Sequence, residues 1–544
     1  MTASSESAMA DHVDVPTGGN PVPRRVLLRG GHICSPVSPS ATAMFTVNGA
    51  VAWVGDDAAA SSYADTADEV VQLDGRLVTP GFVDAHVHLA QTGFALASLD
   101  LSTTRTAAEA LDLVAAFARR SDGAVLFAYG WDESRWADRR PFTAGQLDRA
   151  APGRVLYAAR VDSHSAVVSS RLIEHDPSIR TRDGWRGDGW VARDAHHAAR
   201  AVTDALRSPS DREQALLAAL THAASRGITS VHELNAPHIA PVSDFAALRT
   251  LAEHTPLPEV VPYWGELLGE GLDDAHVTGL SGFAGDLCVD GAIGSRTACM
   301  HAPYADADTS GHLYLDRDEI AEHVVFCTDR DVQAGFHVIG DRAMSETVAG
   351  LELAADKVGT DKIVAARHRL EHVEMPTPEG VATLARLGVV ASVQPAFDAA
   401  WGAAGELYEQ RLGADRARPM NPFGSMRRAG IVLAFGSDSP ITPIDPWSAV
   451  RASVLHHDED ERLSPQAAFE AHTRGGHAAR RDDTGGVLEP GASASYVVWD
   501  LSDGAVQTPS GGSALPDLDP HLPLPTCVQT VVAGVSVYSA EDSA

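Results

Sequence analysis

The chain has 544 residues, 44 % of them apolar and 21 % charged, which is ordinary for a globular enzyme and enough for a large buried core. Its formal charge of −31 argues against nucleic acid or an anionic membrane surface as partner, because both are bound through clustered Lys and Arg. What remains is an acidic, solvated surface around a site for a small molecule, with homo-oligomers left open.

The first segment, MTASSESAMADHVDVPTGGNP, has neither a basic nor an apolar stretch, so residues 1–22 read as a disordered tail and not as a signal peptide. No run of about 18 apolar residues suggests a membrane span. Cys34, Cys288, Cys299, Cys327 and Cys527 are scattered and form no CxxC pair, which points to reduced thiols and a cytoplasmic location. Only two lysines occur, Lys357 and Lys362.

Residues 24–80 alternate apolar positions with Gly and Asn turns, as in RRVLLRGGHIC and AMFTVNGAVAWVG. Residues 487–541 have the same texture, interrupted by a Pro-, Gly- and Ser-rich loop from Thr508 to Pro525. The two ends are therefore expected to build one small β-sandwich from residues 23–80 plus 485–544. Between them, residues 81–484 alternate short apolar runs with amphipathic stretches. Candidate strands are LVTPGFVDAHVHL, AVLFAYGW, RVLYAARV, ITSVHEL, DLCVDG, VQAGFHVIGD, RHRLEHV, VVASVQP and IVLAFGSD. Such alternation over some 400 residues predicts an α/β fold, a closed (β/α)8 barrel with insertions. An open doubly wound sheet is the competing architecture, although no G-x-G-x-x-G follows a strand and no P-loop is present.

Four of these strands end in residues suited to chemistry. His86 and His88 stand two apart, so on a strand they face one side and can grip one ion together. His337 closes QAGFH and His372 closes HRLEH; either alone also reads as a hydrogen-bonded structural histidine. Asp438 ends IVLAFGSD, where a buried carboxylate is costly unless paired; its other reading is an N-cap for the next helix. Barrel enzymes gather their chemistry at the C-terminal ends of the strands. Four imidazoles and one carboxylate there suit zinc, with manganese or iron as alternatives. Such an ion lowers the pKa of water to around 7 and polarises a carbonyl, while Asp438 takes the proton and passes it to a leaving amine. Asp438 and His372 are the candidate catalytic residues. Trp131, Arg160, His164, Asp290 and Arg296 are the candidate substrate contacts; plain packing for Trp131 and a surface ion pair for Arg296 are the competing roles.

The segments VTPGFVDAHVHL, YGWDESRW, RVDSHSAVVSS, DLCVDGAIGSRTA, HVIGDRA, RLEHVE, FGSDSPITPIDPW and GGVLEPGASASYVVWD, in this order, resemble the amidohydrolase superfamily. The likeness is narrower to its family 3, the group similar to N-substituted formamide deformylases. The resemblance implies the barrel, the sandwich from both termini, a divalent metal and hydrolysis of a non-peptide C–N bond. It makes His86 and His88 the first-strand ligands, His337 and His372 the fifth- and sixth-strand ligands, and Asp438 the eighth-strand ligand and proton shuttle. Two departures stand out. Where related sequences often carry a lysine, this chain has Asp286, so the centre is expected to hold one ion, the alternative being two ions with Asp286 as an oxygen ligand in the lysine's place. RVDSHSAVVSS departs near the expected substrate pocket, which leaves the substrate open. The same metal barrel would also serve C–O or ring-amide hydrolysis or a lyase or isomerase reaction, and a silent barrel acting as a binding protein is the non-enzymatic alternative.

Overall fold

Eight parallel strands form the central sheet: β1 (Phe82–Val87), β2 (Ile228–Asn235), β3 (Glu259–Trp264), β4 (Gly282–Phe283), β5 (Gln333–Val338), β6 (Arg369–His372), β7 (Val390–Val393) and β8 (Leu433–Phe435). They belong to a computed structural model that describes residues 25–137, 139–161, 165–267, 279–501, 506–507 and 514–541; the expected tail 1–22 and His164 lie outside these residues. Each strand pairs with the next in chain order. The segment after β8 then returns to β1, where Asp438 N donates to His86 O at 2.8 Å and His88 N donates to Ser439 O at 3.0 Å. The sheet thus closes into the barrel, and the open doubly wound alternative falls away.

Helices cover the outside, and their boundaries follow from local chemistry. In Pro209–Ser225, Ser208 caps the first turn, Pro209 occupies the position that needs no N–H, and Asp211 completes a capping box. Ala215, Leu216, Ala219, Leu220, Ala223 and Ala224 then form the buried stripe of a 3.6-residue period.

Two expected barrel strands lie elsewhere. AVLFAYGW and RVLYAARV supply Val125–Trp131 and Val155–Arg160 to a separate five-stranded sheet with Leu99–Asp100, Ser165–Val168 and Trp190–Ala192. This insertion between β1 and β2 has its own core, including Leu126, Trp131, Trp136, Phe142 and Leu147. Two barrel strands stand outside the expected set: β3, EVVPYW, whose internal Pro262 reads as a strand breaker, and the two-residue β4. DLCVDG is not a strand either; Cys288 makes only an isolated bridge to His337.

The chain ends pair as expected. One sheet runs Ala50–Gly55, Ala43–Val47, Arg25–Arg29, Glu69–Gln72, and the other His32–Ile33, Leu77–Pro80, Tyr496–Asp500, Thr526–Val532, Val535–Ser539. Leu28, Met44, Val78, Leu488, Val498 and Val531 pack between them in one cluster. Trp499 joins this sandwich to the barrel, meeting Phe82 and Trp447 edge-on while its indole N–H donates to Thr79 Oγ1 at 2.9 Å. Among the described residues, no helix is long and apolar enough to cross a membrane.

Candidate metal centre

All six residues of β1 are buried, so its polar members must be satisfied by one another or by something bound. Asp84 Oδ1 accepts from Ser437 N at 2.9 Å and anchors the end of β8 beside β1. The approach is close at Gly436, where a Cβ would stand 2.5 Å from His86 N, so only glycine fits. His88 ends the strand just before the helix Leu89–Leu96, whose first N–H is held by Glu233 Oε2 at 2.7 Å.

His372 and Asp438 both have left-handed backbones, with φ of 73° and 53°. Arg369 and Glu371 point into the barrel, so simple alternation would turn His372 outward; the left-handed turn brings it back to the mouth. There its ring lies 4.4 Å from that of His337 and 5.0 Å from that of His86. Non-glycine residues held in this region are costly and cluster where function demands a direction.

The donor atoms converge. His86 Nε2 lies 3.4 Å from Asp438 Oδ1 and 3.4 Å from Asp286 Oδ1; His88 Nε2 lies 3.1 Å from Asp438 Oδ1 and 3.3 Å from Asp286 Oδ2. His337 Nδ1 is 3.7 Å from Asp286 Oδ1. Ligands about 2.0–2.2 Å from a tetrahedral ion stand roughly 3.3–3.6 Å apart, so these spacings fit an ion better than they fit hydrogen bonds. His86 Nε2, His337 Nδ1, His372 Nε2 and Asp286 Oδ1 are all buried without a hydrogen-bond partner. The outer nitrogens of three of these rings are tied down: His86 Nδ1 to Glu371 Oε2 at 2.8 Å, His372 Nδ1 to Gln394 Oε1 at 2.7 Å, and His337 Nε2 to Gly291 O at 3.4 Å. That is how metal-binding imidazoles are held.

The electrostatics agree. Burial opposes charge on His88, but hydrogen bonds to Asp286 and Asp438 outweigh it and push its pKa up to about 10. Burial would also raise Asp438, yet the positive charge of His86 and the bonds from His86 and His88 hold it below the usual carboxylate range. His372 goes the other way, down to about 4, from burial and from its cationic neighbours His337 and His86. Two carboxylates among four imidazoles bind positive charge strongly, and a divalent cation exchanges for protons at such a site. A second trio, Asp398, His456 and His457, is not equivalent, because His457 already uses Nδ1 on Asp398 and Nε2 on Arg418 O.

A family model described as the amidohydrolase family matches residues 69–538. The chain belongs to the amidohydrolase family. Among curated relatives, it is similar to Protein LONG AFTER FAR-RED 3 of Arabidopsis thaliana, 26 % identical over 531 residues and 88 % of each chain. It is also similar to the N-substituted formamide deformylase of Arthrobacter pascens, 22 % identical over 499 residues, 85 % of this chain and 90 % of that one. Among solved structures, an uncharacterized metal-dependent hydrolase from Pyrococcus furiosus superposes with a TM-score of 0.70 at 26 % identity, covering 87 % of this chain and 98 % of that one. The family and the Pyrococcus furiosus neighbour are both described as hydrolases.

Within this amidohydrolase the structure brings His86, His88, His337, His372 and Asp438 together and adds Asp286, which faces three of the histidines. Both lysines are far along the chain on outer helices, and Lys362 pairs with Asp329 at 3.6 Å. The substrate contacts expected from sequence fare differently. Trp131 is fully buried in the insertion, its N–H donating to Ala158 O at 3.0 Å, so it is packing and not a pocket wall. Arg160 is paired with Asp132 and Glu133 at 3.1 and 2.9 Å. Arg296 forms a two-bonded pair with Asp306 at 2.9 and 2.6 Å on the surface. Asp290 is buried and spends both oxygens on the N–H groups of Cys299, Ile339 and Gly340, at 2.7, 3.0 and 2.8 Å. It shapes the loop after β4 and presents no free oxygen to a ligand. Asp438 caps no helix, since the next one, Pro446–Val454, is capped by Asp445. Sequence reasoning passed over Glu371, Arg369, Gln394 and Glu233. A charged pair two apart on an apolar strand, as in RLEH, was the available signal.

Proposed function

We propose that this chain hydrolyses a non-peptide C–N bond, of amide or formamide type, in a small molecule, using a divalent metal, zinc by its donor set. The observation that carries the reading is the convergence of buried, unpartnered imidazole nitrogens and carboxylate oxygens at the mouth of the barrel. His86, His88, His337, His372 and Asp438 would hold the ion, with Asp286 a further oxygen ligand. A divalent ion there supplies Lewis acidity, polarising a carbonyl and lowering the pKa of water to around 7.

The rest is the work of the chain itself. Asp438, held ionised by its histidine neighbours, accepts a proton from the attacking water through a carboxylate oxygen and returns it to the leaving nitrogen. Its backbone N–H bond to His86 O fixes the distance between the base and the first-strand ligands. His372, pinned by Gln394 and stacked over Phe397 with their rings 6.0 Å apart at 8°, is rigid enough to hold one orientation through the reaction. The deformylase likeness supports formamides as the first substrates to try.

The test is removal of metal with a chelator, reconstitution with Zn²⁺, Mn²⁺ or Fe²⁺, and elemental analysis, assayed on N-formyl amines, amides, lactams and esters. Chelated protein is expected to be inactive and one equivalent to restore it. A requirement for two equivalents would replace the single-ion expectation and make Asp286 the ligand between the His86–His88 and His337–His372 pairs. Full activity without metal would end the reading.

A further inference from the structure

The floor beneath the cluster is charged where a barrel is ordinarily filled by branched aliphatic side chains. Arg369 and Glu371, two apart on β6, both face inward and are fully buried. Arg369 grips Glu371 through Nε to Oε1 at 2.5 Å and Nη2 to Oε2 at 3.1 Å. Its remaining donors reach Ala85 O of β1 at 2.7 Å and His232 Nδ1 of β2 at 3.0 Å. Its guanidinium lies 4.6 Å from the ring centre of Tyr263 on β3, whose hydroxyl donates to Gln333 Oε1 of β5 at 2.8 Å. One cation thus ties β6 to β1, β2 and β3.

We propose that Glu371, charged and aimed by Arg369, is a positioning residue that fixes the tautomer and ring orientation of His86. The inference rests on the metal-dependent reading above. A carboxylate saturated by a guanidinium fork is anionic and can only accept. His86 Nδ1 must therefore carry the proton it donates to Glu371 Oε2, which leaves Nε2, facing Asp286 and Asp438, as the nitrogen that would give up its proton to bind an ion. The other rings lack this arrangement: His372 leans on the neutral amide of Gln394 and His337 on a backbone carbonyl. An anionic partner also makes His86 the stronger donor. Packing does not account for the pair, since a buried ion pair stabilises no better than apolar residues of equal volume.

The test compares wild type, His86→Asn and Glu371→Gln in Zn²⁺ competition titrations against a chromophoric chelator. Thermal unfolding monitors the fold, and ¹⁵N-histidine NMR of zinc-loaded wild type reads which His86 nitrogen keeps its proton. Glu371→Gln is expected to bind Zn²⁺ roughly 10- to 100-fold more weakly while staying folded. The NMR is expected to show the His86 proton on Nδ1, a readout that stands even where Glu371→Gln fails to fold. Zinc affinity within twofold of wild type in folded Glu371→Gln, or a His86 proton on Nε2, would overturn the proposal. In that case zinc bound by wild type and lost in His86→Asn would leave the metal reading intact, whereas wild type that binds no zinc would remove both.

Discussion

Replacing Asp438 by Asn separates chemistry from architecture at one atom. Asp438 sits at φ 53°, a left-handed conformation that Asn tolerates as well as Asp, so the substitution adds no backbone strain. The backbone bonds that position it, N–H to His86 O at 2.8 Å and carbonyl to Ile441 N at 2.8 Å, do not depend on the side chain. Asn retains an oxygen to face His86 and His88, now at 3.4 and 3.1 Å from Asp438 Oδ1, and loses the charge and the basicity. Loss of a general base costs on the order of 100-fold or more in kcat, equivalent to about 2.7 kcal/mol of barrier. The assay measures kcat, metal content and thermal midpoint of Asp438→Asn beside wild type, on the substrate found in the screen. A fall in kcat of about two orders of magnitude in metal-saturated protein, with the midpoint nearly unchanged, is expected. A kcat within threefold of wild type with metal bound would refute the assignment of Asp438 as base.

Asp290→Ala leaves three buried N–H groups without their carboxylate and is expected to lower unfolding stability by at least about 3 kcal/mol, read by denaturant titration. Arg296→Ala removes only a surface pair and is expected to change stability by less than about 1 kcal/mol and leave kcat/KM unaltered; a tenfold loss in kcat/KM would restore Arg296 as a substrate contact.

The residues that meet at the barrel mouth were legible because each stands at or just past the end of an apolar strand, a place where neither packing nor solvation explains His or Asp. The sandwich was legible from alternation at both ends of the chain. Legibility failed where period and geometry part company. Val125–Trp131 and Val155–Arg160 have the apolar pattern of barrel strands, and nothing local says that they pair with each other outside the barrel. Glu259–Trp264 was missed because Pro262 masks a strand that the closed barrel tolerates. Trp131, Arg160, Asp290 and Arg296 were chosen for residue type next to a strand end. Their partners, respectively a backbone carbonyl, two acids, three N–H groups and one acid, lie 9 to 50 residues away and meet them only in the fold. Glu371 is hidden for the converse reason: the partner that gives it meaning, His86, stands 285 residues away and meets it only in the closed barrel.

The strand Leu77–Pro80 is stitched to Tyr496–Asp500, and after Gly81 alone the same backbone becomes β1. Gly81 itself donates to Ser495 O at 3.1 Å. The C-terminal strands therefore grip one end of a stiff rod whose other end carries His86 and His88. Cleavage ahead of Tyr496 would leave that end of the rod held in its sheet by the short strand His32–Ile33 alone, with a bare sheet edge six residues upstream of His86. Damage to the terminal strands would then be felt at the barrel mouth where the histidines meet, and a tag or fusion placed at this end inherits mechanical access to it.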